Sequence, residues 1–197
     1  FWQQNADSFK RTFTSLVSPQ WIENHQRQQS MMIISPGCGA ALEMIPLLEL
    51  FPNATFLGID LDTSIIESAV QDTKTFLLPE RLPDFNLSKI ILKQVDAQKS
   101  ESWRLNDQSL FDLIIIRSPD IHTNENMWLA ILPQAQQHLS SNGLLYITTS
   151  NEFEKKDMEK LLQKTTLSFT HHENPSPQEL IYPEAHIILA KAGTVPE

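Results

Sequence analysis

The chain of 197 residues is 41% hydrophobic and 20% charged, which is typical of one globular domain and excludes a disordered or fibrous protein. Its net charge of −9 argues against nucleic acid as a partner, because binding to phosphate depends on clustered lysine and arginine. A single cysteine, Cys38, excludes an internal disulfide and predicts a reducing, cytoplasmic compartment, and no apolar run is long enough to span a membrane.

The first thirty residues predict an N-terminal helical cap, residues 1–30, ahead of the main domain. One apolar stripe at helical spacing comprises Phe9, Phe13, Leu16 and Val17. Ser18 and Pro19 then begin a second helix, predicted over residues 19–28, with proline at its first position. No basic segment followed by an apolar one opens the chain, so no secretory leader is predicted. The first residue is Phe1 and not Met, which is typical of a trimmed sequence or a fragment.

From residue 31 onward, strand-sized apolar runs alternate with amphipathic segments, and residues 31–197 are predicted to form one Rossmann-like domain. Five parallel strands are predicted at residues 31–34, 55–59, 89–95, 111–116 and 144–149. Helices are predicted at residues 40–50, 63–76, 124–139 and 152–164, with a loop at 78–87 and a glycine-containing helix end at 141–143. Pro46 predicts that the first of these helices is kinked or starts late.

The alternation of strands and helices predicts an α/β fold, a three-layer sandwich with a mostly parallel sheet and helices on both faces. Two further strands are predicted at residues 167–170 and 185–190. The connection between them has no helical periodicity, so we expect an antiparallel pair at the edge of the sheet. In an open parallel sheet, ligands bind beyond the carboxyl ends of the strands, near the point where the strand order reverses.

A glycine-containing segment follows the first strand, where such a ligand would lie. Gly37 and Gly39 permit backbone angles and a close ligand approach that a Cβ would prevent. A dinucleotide fingerprint would need glycine where Leu42 stands, and the Gly-Lys-Ser or Gly-Lys-Thr of a P-loop is absent. The alternative is a tight strand-to-helix turn that binds no ligand.

Two acidic residues follow the second and third strands. Asp60 is positioned to accept hydrogen bonds from both hydroxyls of a ribose, and Asp96 from an exocyclic amine such as that of adenine. The alternative for each is helix capping. For Asp60 that alternative is weak, because Asp62 or Thr63 would cap the next helix better. Asp96 could cap the short segment at residues 98–103, and for this residue the two interpretations are balanced.

Together these segments resemble the class I S-adenosylmethionine-dependent methyltransferases over about residues 31–150. Residues 35–41, Ser-Pro-Gly-Cys-Gly-Ala-Ala, are similar to the glycine-rich first motif, Asp60 to the ribose-binding acid, and Asp96-Ala97 to the adenine-contacting pair. The resemblance implies S-adenosylmethionine as cofactor and a seven-stranded sheet ordered 3-2-1-4-5-7-6, with strand 7 antiparallel. The cofactor-binding residues it implies are Ser35, Gly37, Cys38, Gly39, Asp60, Leu61, Asp96, Ala97 and Arg117.

The sequence departs from the family pattern in the first motif. The family has an acid two places before the first glycine, where this chain has Ser35, and a small residue, often glycine, where it has Ala41. Loss of the acid predicts weaker or rerouted cofactor binding. Arg117 is the candidate to compensate by pairing with the cofactor carboxylate, and the alternative is a surface ion pair with Asp112 or Asp120.

The segment after the fourth strand is where family members contact substrate. Residues 117–122 lack the second proline and the aromatic residue of enzymes that methylate amino groups of bases or glutamine. The segment is faintly similar to tRNA guanine-N7 methyltransferases, but the basic residues that hold tRNA are missing. Asp120 and His122 are the weak catalytic candidates, as base and orienter, and the alternative is that both are simply solvated.

The resemblance therefore implies methyl transfer to a small-molecule or protein acceptor. The alternatives are a catalytically lapsed binding or scaffold domain, a nucleic-acid methyltransferase, and a nucleotide-binding enzyme of another class. No metal is predicted: His171, His172 and His186 show no carboxylate or thiol at ligand spacing, so a pair of histidines at a strand edge is expected.

Overall fold

The computed structural model describes residues 2–62, 64, 67, 68, 71, 81–105, 107–175 and 184–193. The strands described are β1 (Met32–Pro36), β2 (Thr55–Asp60), β3 (Ile90–Gln94), β4 (Phe111–Arg117), β5 (Leu139–Thr149), β6 (Leu167–Glu173) and β7 (His186–Ala192). The α-helices are α1 (Trp2–Leu16), α2 (Pro19–Gln26), α3 (Met44–Leu50), α4 (Ile121–His138) and α5 (Glu152–Leu162). Short 3₁₀ helices cover Leu87–Lys89 and Ser100–Trp103.

The strands form one sheet in the order β3-β2-β1-β4-β5-β7-β6. Strands β1 to β5 pair in parallel, and β7 is antiparallel to both β5 and β6. This confirms the predicted α/β fold, the strand order that the resemblance implied and the antiparallel pair at the edge. Because β1 lies between β2 and β4, the strand order reverses there, and the carboxyl ends of these three strands share one edge of the sheet.

Two apolar clusters cover the two faces of the sheet. Successive residues of a strand point to opposite faces, so Ile33 packs with α1, α2 and α3, whereas Ile34 packs with α4 and α5. On the first face, the rings of Phe9 and Phe13 lie 5.8 and 5.2 Å from the ring of Tyr146 on β5. Burial of one such phenylalanine contributes about 2–3 kcal/mol, so the residues predicted as an N-terminal cap contribute to the core of the sheet.

Helix α3 begins at Met44 rather than at residue 40, which confirms the late start that Pro46 predicted. Pro46 is the reason: proline has no N–H to donate and is tolerated only in the first turn, where helical N–H groups have no intrahelical acceptor. Ala41, three residues before Met44, has a left-handed φ of 49°, which is incompatible with a helix interior. Most of the predicted helix at 63–76 lies outside the described residues. Its four described residues, 64, 67, 68 and 71, are helical.

The transition from α4 to β5 also differs from the prediction. Strand β5 begins at Leu139, directly after the helix, so residues 141–143 are part of the strand and do not form a helix-ending turn. The pairing shifts from Phe111 opposite Leu139 to Leu113 opposite Leu144, which marks an irregularity in β5. Gly143 is required here by space, because a Cβ would lie 2.7 Å from Leu139 Cδ1 and 3.0 Å from the Phe111 carbonyl oxygen.

Helix α4 begins at Ile121 and not at residue 124, because Asp120 caps it three residues earlier than predicted. Its backbone is non-helical at Asn124, where φ is −130° and ψ is 34°. Among the described residues, no helix is both long enough and apolar enough to cross a bilayer.

Candidate functional site

Two adjoining clefts open at the carboxyl edge of the sheet. The Asp60 cleft, of about 220 Å³, is lined by residues that include Asp60, Leu61, Asp96, Ala97, Asp120 and Trp128. The Glu43 cleft, of about 450 Å³, is lined by residues that include Ser35, Cys38, Gly39, Ala41, Glu43 and Glu184. Gly37, Arg117 and Ser118 line both. The structure thus places all the sequence-predicted cofactor residues around one continuous depression, at the reversal of strand order.

The loop after β1 adopts the left-handed backbone that its glycines allow. Gly37 has a φ of 67° and Gly39 one of 50°. The N–H groups of Gly37 and Cys38 both donate to the Ile59 carbonyl, at 2.8 and 3.1 Å, which fastens the loop to the end of β2. Ala41 has the same left-handed conformation without being glycine, and such strain is concentrated at ligand-binding sites.

Asp60 connects the glycine loop to the segment after β2. Its Oδ2 accepts from the N–H of Gly39 at 2.9 Å, and its Oδ1 accepts from the N–H of Asp62 at 3.0 Å. Capping falls to Asp62, whose Oδ1 accepts from the N–H of Ser64 at 2.8 Å. Asp60 therefore does not cap the following helix, and its half-buried carboxylate lines the cleft.

Asp96 holds a turn at the wall of the Asp60 cleft. Its Oδ1 accepts from the N–H of Gln98 at 2.9 Å, and its carbonyl accepts from Ser102 Oγ at 2.6 Å. The neighbouring Ala97 carbonyl accepts from the indole N–H of Trp103 at 2.7 Å. These bonds fix the turn before the 3₁₀ helix Ser100–Trp103. The N-cap of that helix is Lys99, without a side-chain hydrogen bond, so the predicted capping role of Asp96 is wrong. Asp96 lines the cleft.

A buried acid that the sequence interpretation missed lies beside Ser35. Ser35 Oγ donates to Glu43 Oε1 at 2.6 Å, and Glu43 is only 3% exposed. A carboxylate thus stands next to the position where the family carries its acid, but it comes from eight residues further along the chain. The available signal was that Glu43 is the only charged residue within the apolar stretch 40–48.

Arg117 lies between two carboxylates. Its Nε donates to Glu184 Oε1 at 2.6 Å and its Nη1 to Glu43 Oε2 at 3.3 Å. The guanidinium carbon is 5.3 Å from the ring centre of Phe9, within range of a cation–π contact. Glu184 is 2% exposed, so this cluster is buried at the inner wall of the cleft.

The predicted alternative for Arg117, a surface pair with Asp112 or Asp120, is wrong. Strand alternation is the reason, since Arg117 points to the face that holds Glu43, whereas Asp112 points to the other face. There Asp112 accepts from the N–H of Met32 at 2.9 Å, while Asp120 caps α4.

The buried cluster of Glu43, Arg117 and Glu184 contains two carboxylates and one guanidinium, and so carries one net negative charge. Burial alone would lower the pKa of Arg117, but Glu184 and Glu43 outweigh it and the pKa is raised, so the guanidinium stays charged. Burial, reinforced by Glu43 and Asp60, raises the pKa of the Cys38 thiol, which remains neutral. The cleft wall is therefore arranged to attract a cation.

The two weak catalytic candidates lie at the start of α4. Asp120 accepts from both the N–H and the hydroxyl of Thr123, and these hydrogen bonds lower the pKa of Asp120. His122 is exposed in the first turn of the same helix. Ser118, which precedes them, has a left-handed φ of 43°, and its N–H donates to the Thr148 carbonyl at 3.1 Å. The geometry gives Asp120 the role of a helix cap at the rim of the cleft.

Known structures share this architecture. A glycopeptide N-methyltransferase in complex with S-adenosylmethionine superposes with a TM-score of 0.68 at 12% identity, covering 95% of this chain and 94% of that chain. The magnesium protoporphyrin IX methyltransferase of Synechocystis PCC 6803, with bound S-adenosylmethionine, gives 0.62 at 17% identity, covering 96% and 83%. An rRNA methylase of Streptococcus thermophilus gives 0.61 at 9% identity, covering 91% and 99%. No protein-family model matches the chain, and no curated protein matches it.

Proposed function

We propose that this chain, whose fold is that of the S-adenosylmethionine-dependent methyltransferases, transfers the methyl group of S-adenosylmethionine to a small-molecule or protein acceptor. The observation that carries the proposal is that the Asp60 and Glu43 clefts meet at Gly37 and Arg117. One cleft offers groups suited to a nucleoside and the other groups suited to an amino acid. A ligand with both parts would fill the two clefts together.

The charge of the site fits this cofactor. S-adenosylmethionine carries a sulfonium, an ammonium and a carboxylate, and hence one net positive charge at neutral pH. The buried cluster of Glu43, Arg117 and Glu184 carries one net negative charge and lines the Glu43 cleft. A buried charge is stable only with a partner, so a cationic ligand complements this wall.

Individual residues take up the recognition roles. Asp60 would accept from ribose hydroxyls, since its carboxylate has acceptor capacity beyond the two N–H groups that it already binds. Leu61 is 57% exposed and offers an apolar surface to a base. Asp96 would accept from an exocyclic amine and Glu43 from the ammonium group. Gly37 and Gly39 allow the backbone to approach the ligand closely.

For this reaction the protein's main contribution would be to position the reactants. The bound cofactor would supply a methyl group already activated by the adjacent sulfonium. The chain's contribution would be to hold the acceptor in line with that methyl group and to exclude water. A general base is required only for an acceptor that keeps its proton at neutral pH. The commitment of Asp120 to capping α4 is therefore compatible with activity.

A second candidate is a domain that binds the cofactor without transferring its methyl group. The position of Asp120 favours it, because the hydrogen bonds by which Asp120 caps α4 lower its pKa and make this carboxylate a weaker base. Transfer of label from methyl-labelled cofactor to a panel of small-molecule and protein acceptors distinguishes the two. Binding without transfer to any acceptor would favour this candidate.

Isothermal titration with S-adenosylmethionine and S-adenosylhomocysteine tests the proposal. We expect both ligands to bind the wild-type protein and Asp60→Ala to lose that binding. The matched control is Asp62→Asn, because Asp62 caps the next helix and asparagine caps equally well. Absence of heat with either ligand, in a protein whose circular dichroism shows it folded, would overturn the proposal.

A further inference from the structure

Three potential metal ligands lie on one face of the β6–β7 pair. His171 and Glu173 are two residues apart on β6 and so point to the same side, and His186 on β7 pairs directly with Glu173. His171 Nε2 is 3.3 Å from His186 Nδ1, and His186 Nδ1 is 3.8 Å from Glu173 Oε1. One ligand atom from each residue lies within 4.8 Å of the other two. The structure supplies the carboxylate that the sequence interpretation held to be missing.

These separations suit a tetrahedral metal ion. Bonds of about 2.0–2.1 Å to zinc place neighbouring ligand atoms about 3.3–3.5 Å apart. The two histidine nitrogens already have that spacing. Glu173 is 79% exposed, so its side chain is free to turn the short distance that the third bond requires, whereas His186 is 8% exposed and held by the strand. Two histidines and one carboxylate are a common protein ligand set for zinc, with a fourth position for water.

The charges around the three residues allow a cation. Helix α5 covers this face and contributes Lys155, Glu152 and Glu159. Lys155 Nζ is 2.7 Å from Glu152 Oε1, so this pair is neutral as a whole. Near His171, the negative charges of Glu159 and Glu173 oppose the positive charge of Lys155.

We propose that His171, Glu173 and His186 bind a divalent transition metal of the Zn²⁺ class, which joins β6 to β7. The site lies outside the clefts described above, because none of the three residues lines either of them. His186 begins β7 two residues after Glu184, which binds Arg117. A metal here would fix the edge of the sheet from which Glu184 reaches the buried cluster.

Metal titration of the whole chain tests the site. Protein freed of metal by chelator is titrated calorimetrically with ZnCl₂ and, separately, with CoCl₂ and MgCl₂. We expect one Zn²⁺ per chain at micromolar Kd or tighter, an increase in Tm, and the intense visible absorption that tetrahedral Co²⁺ gives. Mg²⁺ should not bind, because it prefers six oxygen ligands.

Variants assign the binding to these residues. We expect Zn²⁺ binding to weaken at least about 100-fold in His171→Ala and about 10-fold in Glu173→Gln, two positions that are not buried. His172→Ala is the matched control: His172 points to the opposite face and contacts Thr170. Absence of stoichiometric Zn²⁺ binding to the wild-type protein, or equal binding by folded His171→Ala, would overturn the proposal.

Discussion

Ser35 Oγ donates a hydrogen bond of 2.6 Å to Glu43 Oε1, so the serine at the position of the first-motif acid in the family that the sequence resembles holds a carboxylate in the same neighbourhood. The acid beside Ser35 comes from eight residues further along the chain. Its presence also explains why Arg117 turns inward, since Glu43 and Glu184 together bind its guanidinium. Under the proposed function, Glu43 would take over the role of the acid that the first motif lacks.

The first prediction concerns the charge of Glu43. We expect Glu43→Gln to weaken S-adenosylmethionine binding by about 10- to 100-fold, or about 1.4–2.7 kcal/mol, because it removes the net negative charge of the buried cluster. Isothermal titration measures the change, and Glu23→Gln, at an exposed position of α2, is the control. Ser35→Asp combined with Glu43→Gln should recover part of the lost affinity. Unchanged affinity in Glu43→Gln would contradict the assignment.

The second prediction separates a helix cap from a general base at Asp120. Asparagine caps helices as well as aspartate but does not accept a proton at neutral pH. We expect Asp120→Asn to retain both its urea midpoint and its rate of methyl transfer, and Asp120→Ala to lower the urea midpoint. A large fall in kcat at unchanged KM in Asp120→Asn would show instead that the carboxylate acts as the base.

The third prediction uses the only cysteine of the chain as a reporter. Burial raises the pKa of Cys38, so the native state retains its proton where an unfolded thiol begins to ionise. Stability linked to this proton is complete below the unfolded pKa and is lost as the pH rises above it. At about pH 8.5, near the ordinary thiol pKa, we expect the native protein to react with a disulfide reagent about 100-fold more slowly than the protein in urea. Equal rates would contradict this.

The fourth prediction concerns the space beneath the glycine loop. A Cβ on Gly58 would lie 2.6 Å from Leu92 Cδ2 and 3.0 Å from Cys38 Sγ. We expect Gly58→Ala to lower the free energy of unfolding by about 1–3 kcal/mol, as measured by urea denaturation, because the added methyl group overpacks β2. Adding Leu92→Ala relieves the closer contact, so the double variant should lose less than the sum of the single changes. An unchanged midpoint in Gly58→Ala would refute the packing argument.

Local patterns predicted most of the sheet, because a buried parallel strand requires an unbroken apolar run and β4 supplies Leu-Ile-Ile-Ile at residues 113–116. The predicted boundaries of strands and helices were wrong where tertiary contacts determine them. β5 starts at Leu139 through its pairing with Phe111, and no local signal indicates that contact. The glycine loop and Asp60 could be identified as candidates because they adjoin the ends of strands, whose apolar runs are visible in the sequence.

The missed residues are those that depend on long-range geometry. Glu43 reaches Arg117 only because the turn after Ala41 directs it inward, and helical periodicity does not encode that turn. Glu173 meets His186 through the register of two strands whose connection includes residues 176–183, outside the described part of the chain. Spacing along the sequence is no measure of distance in such a pair.

The net negative charge of the buried cluster also bears on turnover. Under the proposed function, substrate cofactor carries one net positive charge, whereas the demethylated product, a neutral thioether, carries none. A wall formed by Glu43, Arg117 and Glu184 therefore favours the incoming ligand over the spent one. Because the cluster is buried, added salt screens this preference little. The same electrostatics that recruit the cofactor would hasten product release and limit product inhibition.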